Sequence, residues 1–388
     1  MIGNVALKFR VMVACLLMAV MCAGAAQAEI ITPSQYVMIM DHETGDVLYE
    51  KNADLPMKPA SMAKMMTIYL IFKQIKDASL RLDDKFIVSE KAYRKGGSRT
   101  FLEIGSQVSV SDLLRGIIVQ SGNDAAIVVA EGLAGTEEAF AEEMTLTATK
   151  LGMMNTAFGN ATGWPDEITT TTARDLAILA RAIITEFPEL YKIFNEKSFT
   201  YNDIKQGNRN PLLYALDHAD GLKTGHTEES GYGLTASAER DGQRIILVLN
   251  GLGSNKERKQ ESIRLMDLSF RTFRKFTIVE QFEVLANAPV NMGEQTTVPV
   301  TAEKAITRVM PRKDFVGITR RIELDPDISA PVAKGQQLGS IYLTIGDSIE
   351  RFPLVAANAV EELPFYAKIG AFFKVLIFGH EAPVVGSE

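Results

Sequence analysis

Two hairpin signals stand at opposite ends of a helix-rich stretch, and they restrict the fold more than any other feature of this chain. Tyr36 to Met40 and Val47 to Glu50 flank Glu43-Thr44-Gly45-Asp46, while Tyr232 to Ala238 and Arg244 to Asn250 flank Asp241-Gly242. Asp-Gly between apolar runs is the strongest short hairpin signal, because a two-residue loop that matches strand twist needs left-handed backbone at both positions. Between the hairpins lie helical patterns over Ser111 to Gly132, Glu137 to Leu151 and Ala173 to Thr185. Strands from both ends with helices between them predict an α+β fold, an antiparallel sheet sandwiched by helices, over residues 29–275.

The composition changes near residue 276. Half of the 14 prolines fall between Pro289 and Pro364, among short runs such as Ile341-Tyr342-Leu343-Thr344-Ile345. Prolines between short strands read as a small all-β, sandwich-like domain, here 276–360. The last segment, 361–388, carries Phe365, Ile369, Phe372, Phe373, Leu376 and Ile377 on one broad helical face. As a helix it extends only about 22 Å, short of a ~30 Å hydrocarbon core, so the reading is an amphipathic helix lying at a membrane surface.

Residues 1–28 read as a cleaved export signal: Lys8 and Arg10, an apolar run from Val11 to Ala25, then Ala26-Gln27-Ala28. Both cysteines, Cys15 and Cys22, lie inside it, so the exported chain has no disulfide or thiolate chemistry. The segment holds two basic residues and no acidic ones, so its removal moves the net charge from −7 to −9, which argues against a nucleic-acid partner. His42, His218, His226 and His380 are too dispersed for a metal motif, and neither a metal nor a cofactor is expected.

Three short motifs carry chemistry. Ser61-Met62-Ala63-Lys64 opens a stretch with Met62, Met65, Met66, Tyr69 and Phe72 on one helical face. Lys64 then lies one turn beyond Ser61, within reach of its hydroxyl. Serine needs an adjacent base, and lysine serves only where burial or a neighbouring cation, with Lys223 a candidate, favours its neutral form. Sixty residues on, Ser121-Gly122-Asn123 interrupts two apolar runs and offers a hydroxyl for proton relay and an amide for a substrate carbonyl. A further 102 residues on, Lys223-Thr224-Gly225-His226 offers a cation and a hydroxyl for a carboxylate. Gly225 admits a substrate backbone alongside the strand, and the N–H of His226 can pair with that of Ser61 as an oxyanion hole. Singly these read as a capped helix, a helix–turn–helix and a surface turn; in this order they are the parts of an acyl-transfer site.

The motifs resemble those of the penicillin-recognising serine acyltransferases, where S-x-x-K, an SDN-type triplet and K-T-G recur. The likeness is closer to the low-molecular-weight penicillin-binding proteins that act as D-alanyl-D-alanine carboxypeptidases, and it extends to Leu114-Arg115-Gly116, Asn208-Arg209-Asn210 and Asp220 through Thr227. It implies a beta-lactamase/transpeptidase-like catalytic domain followed by the β-rich domain and tail. Ser61 would form the acyl-enzyme, Lys64 take its proton and Ser121 relay protons. Lys223, Thr224, Gly225, His226, Asn123 and Arg209 would hold the substrate. The implied partners are a peptidoglycan stem peptide ending in D-Ala-D-Ala, β-lactams as covalent inhibitors and, through the tail, the periplasmic face of the inner membrane. Met62-Ala63 departs from the commoner polar residue before the lysine, and the stretch from Arg209 to Lys223 is about one residue short. A cross-link-cleaving endopeptidase is the nearest alternative. A β-lactamase needs an activating glutamate, but Gly163-Trp164-Pro165-Asp166-Glu167-Ile168 carries no E-x-x-x-N, and a non-enzymatic wall-binding protein would have lost its nucleophile or base.

Overall fold

The computed structural model describes residues 30–364; the expected export signal and the expected amphipathic tail helix from Phe365 onward lie outside the described residues. The two terminal hairpins interlock in one five-stranded antiparallel sheet. Its strands are β1 (Tyr36–Asp41), β2 (Val47–Lys51), β3 (Ala219–Thr227), β4 (Gly231–Arg240) and β5 (Gln243–Leu252), in the order β2-β1-β5-β4-β3. The join between the halves is β1 on β5, with Met38 opposite Val248. Asp241 and Gly242 turn with φ of +53° and +76°, the left-handed pair that the short loop demands.

Side chains alternate across this sheet. Met38, Met40, Ile246 and Val248 face the larger helical layer, and Val37, Ile39, Ile245, Leu247 and Leu249 face the other side. Both faces are buried, which is why the strands read as unbroken apolar runs. The larger layer contains α1 (Lys64–Lys76), α2 (Val110–Val119), α3 (Asn123–Ala134), α4 (Glu137–Lys150) and α5 (Ala173–Glu186). Ser109, Thr136 and Thr172 cap α2, α4 and α5 by accepting from backbone N–H groups three residues inward, at 3.0–3.1 Å.

Three features depart from the sequence expectation. The single helical pattern Ser111 to Gly132 is two helices, α2 and α3, broken at Gln120-Ser121-Gly122, where Ser121 adopts φ +62°. The first helix buries every residue from Lys64 to Phe72 rather than one face, because it runs through the middle of the domain. An unanticipated 18-residue helix, α6 (Asn255–Thr272), covers the second face of the sheet with Leu265, Met266 and Phe270. Its buried stripe also carries Arg258 and Glu261, so its charge hides its periodicity.

Helix α6 runs directly into strands. Those from β6 onward are β6 (Phe273–Val279), β7 (Val284–Pro289), β8 (Thr297–Thr301), β9 (Ile306–Pro311), β10 (Thr319–Leu324), β11 (Gln337–Ile345) and β12 (Ser348–Ala356). They form a two-stranded sheet, β6-β9, and a five-stranded sheet, β7-β8-β12-β11-β10, around Ile278, Val298, Val300, Ile341, Leu343 and Leu354. One helical turn, Arg312–Phe315, interrupts the strands. Phe273 and Val309 pack into the core of the first domain, and Asp46 in the β1–β2 turn accepts from Val309 N at 2.7 Å. Among the described residues no helix is long and apolar enough to cross a membrane.

Candidate active site

Ser61 lies in a 3₁₀ turn, Ala60–Ala63, that continues into α1. Lys64 is the first residue of α1, so its position in the domain core leaves it fully buried. Its Nζ donates to Ser61 Oγ at 3.0 Å, Asn123 Oδ1 at 2.7 Å and Thr162 O at 2.6 Å. None of these partners is a carboxylate. Burial first, then the charge of Arg209, bring its pKa from 10.5 to about 7; Asp124 opposes them, and Lys95 and Glu137 act more weakly in opposite directions. Burial does most to favour the neutral amine, and Lys64 and Lys223 repel one another as charged groups. A half-neutral amine 3.0 Å from a hydroxyl can take its proton near neutral pH.

Ser121 is buried at the α2–α3 break, and its Oγ accepts from Lys223 Nζ at 2.8 Å. Lys223 is buried in β3, the edge strand of the sheet. Desolvation, with repulsion from Lys64, Arg209 and Arg258, holds its ammonium well below the ordinary lysine range. Asn123 begins α3, accepts from Lys64 and donates through Nδ2 to Gly96 O at 2.9 Å. Thr224 is buried beside Lys223, and His226 is exposed and stacks on Tyr232 with centroids 3.9 Å apart.

Gly225 is required by the packing of the protein itself. A Cβ there would stand 2.7 Å from Pro59 O and 3.3 Å from Ala60 Cβ, so β3 lies directly against the segment that carries Ser61. The start of β3 is fixed from behind, where Asp220 accepts from Tyr191 Oη at 2.7 Å and from Arg244 at 2.8 and 2.9 Å. Arg209 donates to Ser98 Oγ, and burial lowers its pKa. Its charge acts on both Lys64 and Lys223, which places it at this cleft.

Two residues at the site escaped the sequence reading. Arg258 of α6 is buried, donates to Gly225 O and Gly233 O at 3.3 Å, and has its pKa pulled down to about 10 by burial. No motif marks it, because its helix shows no clean period. Asp124 is fully buried and accepts from Thr100 N at 2.8 Å, Phe101 N at 3.0 Å and Leu102 N at 3.3 Å, so it straps that loop onto the α2–α3 break. Its signal was only its place directly after Asn123. By contrast Asp166 bonds within its own loop, to Thr169 N at 2.5 Å and Thr169 Oγ1 at 2.7 Å, which suits a turn residue.

Lys64, Lys223, Arg209 and Arg258 thus converge without a carboxylate bonded to any of them among the described residues. Lys64, Lys223 and Arg258 are buried and Arg209 is exposed at their edge; buried cations without anions are expensive, and such a cleft in an acidic chain is suited to an anionic ligand and a developing oxyanion.

Known proteins share this arrangement of sequence. The D-alanyl-D-alanine carboxypeptidase profile of peptidase family S11 matches residues 23–253, and the profile of the C-terminal domain of penicillin-binding protein 5 matches residues 273–362. The chain is 37% identical over 362 residues to the D-alanyl-D-alanine carboxypeptidase DacC of Escherichia coli K12, covering 90% of each. Penicillin-binding protein 5 of Haemophilus influenzae superposes with a TM-score of 0.76 at 36% identity, covering 86% of this chain and 100% of that one. The D-alanyl-D-alanine carboxypeptidase DacD of Francisella tularensis does so with a TM-score of 0.73 at 32% identity, covering 87% and 95%.

Proposed function

The chain belongs to the S11 family of D-alanyl-D-alanine carboxypeptidases, and from that premise we propose that it removes the terminal D-alanine of peptidoglycan stem peptides through an acyl-enzyme on Ser61. The observation that carries this is the fully buried Lys64 amine, 3.0 Å from Ser61 Oγ. Neutral Lys64 takes the Ser61 proton as Oγ bonds to the carbonyl carbon of the penultimate D-alanine. The N–H groups of Ser61 and His226 receive the oxyanion. Asn123 holds the amide of the acyl arm, and Lys223, Thr224, Arg209 and Arg258 hold the terminal carboxylate. As the C–N bond breaks, Ser121 passes a proton to the departing D-alanine, with Lys223 bonded behind its hydroxyl. Water then hydrolyses the ester. A penicillin presents a carboxylate and a strained amide to the same groups and remains as the acyl-enzyme.

In this reading residues 29–275 form the catalytic unit and 276–360 a β-rich spacer. The tail, 361–388, lies on the inner membrane, with the exported enzyme at its periplasmic face. The direct test is D-alanine release from a pentapeptide stem compared with cleavage of a cross-linked dimer. Release from the pentapeptide, abolished by Ser61→Ala, supports the carboxypeptidase; cleavage of the dimer alone would make the chain an endopeptidase. Deleting residues from Pro364 onward is expected to give active enzyme that no longer sediments with membranes; a truncated enzyme that still sediments removes the tail from this account.

A further inference from the structure

Trp164 is the only tryptophan of the chain and is 41% exposed, yet it is held tightly beside the site. Two residues before it, Thr162 gives its carbonyl to Lys64 at 2.6 Å. Between them Gly163, at φ +71°, lies so close to the nucleophile's segment that a Cβ would fall 1.8 Å from Ala60 O. On the other side the indole abuts Gly97, where a Cβ would stand 2.8 Å from the ring and 2.9 Å from Asn123 Nδ2. The Lys95 ammonium sits over the indole, 4.6 Å from its centroid.

Lys95 has no carboxylate partner among the described residues. The nearest acid in sequence to Trp164, Asp166, is occupied by Asn160 and Thr169. The charge of Lys95 reaches the reacting groups, since it is one of the cations acting on Lys64. The wall of the site next to Asn123 therefore presents an apolar plate with an unpaired cation above it. Of the other cations, Lys223 bonds Ser121, Arg258 bonds Gly225 O of β3 and Arg209 bonds Ser98 Oγ, and the reading above gives all three to the terminal carboxylate.

We propose that Lys95 and Trp164 form a specificity-determining subsite for the acyl half of the substrate, selecting an upstream residue whose aliphatic side chain ends in a free carboxylate. The methylene chain lies on the exposed indole, and the carboxylate takes the open side of the ammonium. This rests on the carboxypeptidase reading, and two failures are distinguishable.

The test compares two tripeptides on the full chain: N-acetyl-2-aminopimelyl-D-Ala-D-Ala with its side-chain carboxylate free, and the same peptide as the side-chain carboxamide. A solvated pair of this kind predicts about a two- to fivefold preference in kcat/KM for the carboxylate at low salt, fading as salt screens it. Lys95→Gln is expected to bring the ratio to about one and Lys95→Arg to keep it. Trp164→Ala is expected to raise KM for both peptides more than it lowers kcat. Covalent penicillin labelling verifies that each variant is folded. Equal rates in the unaltered enzyme, or a ratio unchanged in Lys95→Gln, overturn the proposal. No D-alanine from either peptide overturns the carboxypeptidase reading beneath it and the subsite with it.

Discussion

Replacing Lys64 by Met tests the buried amine through stability, apart from any rate. An unfolded lysine keeps its proton to about pH 10.5, whereas in the native cleft burial and Arg209 bring release to about pH 7. At pH 6 the group is charged in both states, and the native state bears a penalty of about 5 kcal/mol for holding it so. Between those two pH values the unfolded state binds more protons, so stability rises with pH. The linkage relation gives the native state about 2.5 kcal/mol from this group between pH 6 and pH 9. Methionine fills much of the same volume and removes the titration, but it leaves Asn123 Oδ1 and Thr162 O without their donor. Each such loss costs about 1–3 kcal/mol at every pH. The absolute difference between the two proteins thus mixes opposing effects, while its pH dependence isolates the amine. Relief of Lys223 in the variant acts in the same direction, since that group is depressed partly by Lys64. Urea unfolding at pH 6 and pH 9 is expected to show the stability of the unsubstituted protein over Lys64→Met growing by about 2.5 kcal/mol. A gap constant to within about 0.5 kcal/mol would mean that Lys64 keeps an ordinary proton affinity, and the argument for a neutral base would fail.

Acylation by penicillin, followed by stopped flow, is expected to rise with pH through an apparent pKa of about 7, and Lys64→Arg to be nearly inactive because a guanidinium does not release its proton. Gly225→Ala places a methyl 2.7 Å from Pro59 O; it is expected to lose about 1–3 kcal/mol in thermal unfolding and to acylate at least about tenfold more slowly as β3 is pushed from Ser61. Asp124→Asn weakens the strap on Thr100 to Leu102, so amide exchange at those three positions is expected to quicken by about tenfold or more, read by hydrogen-exchange mass spectrometry.

What the sequence made legible is what local chemistry decides. Asp241-Gly242 turns in the only manner its strands permit, and the three-residue spacing of Ser61 and Lys64 at a helix start yields their 3.0 Å contact. The approach of Ser121 to Lys223, 102 residues apart, was readable only from the joint order of motifs, because no local rule brings β3 to the α2–α3 break. The break itself was legible as the polar cluster Gln120-Ser121-Gly122-Asn123 between two apolar runs, although one helical pattern could be drawn across it. Arg258 was out of reach, since a buried cation on a highly charged helix looks in sequence like any solvated one. At Gly225 the need for close approach was visible in the sequence, while the contact with the chain's own Pro59 was not.

The central claim is that Ser61 is the acylated nucleophile. Incubating the purified protein with penicillin, digesting it and mapping the added mass by tandem mass spectrometry tests that claim most directly. The account predicts one adduct, on the peptide containing Ser61, absent in Ser61→Ala although that variant remains folded, since the Ser61 hydroxyl caps no helix and its loss removes the bond from Lys64, a cost of about 1 kcal/mol. An adduct on Ser121 or any other residue, or labelling that persists in Ser61→Ala, would contradict it.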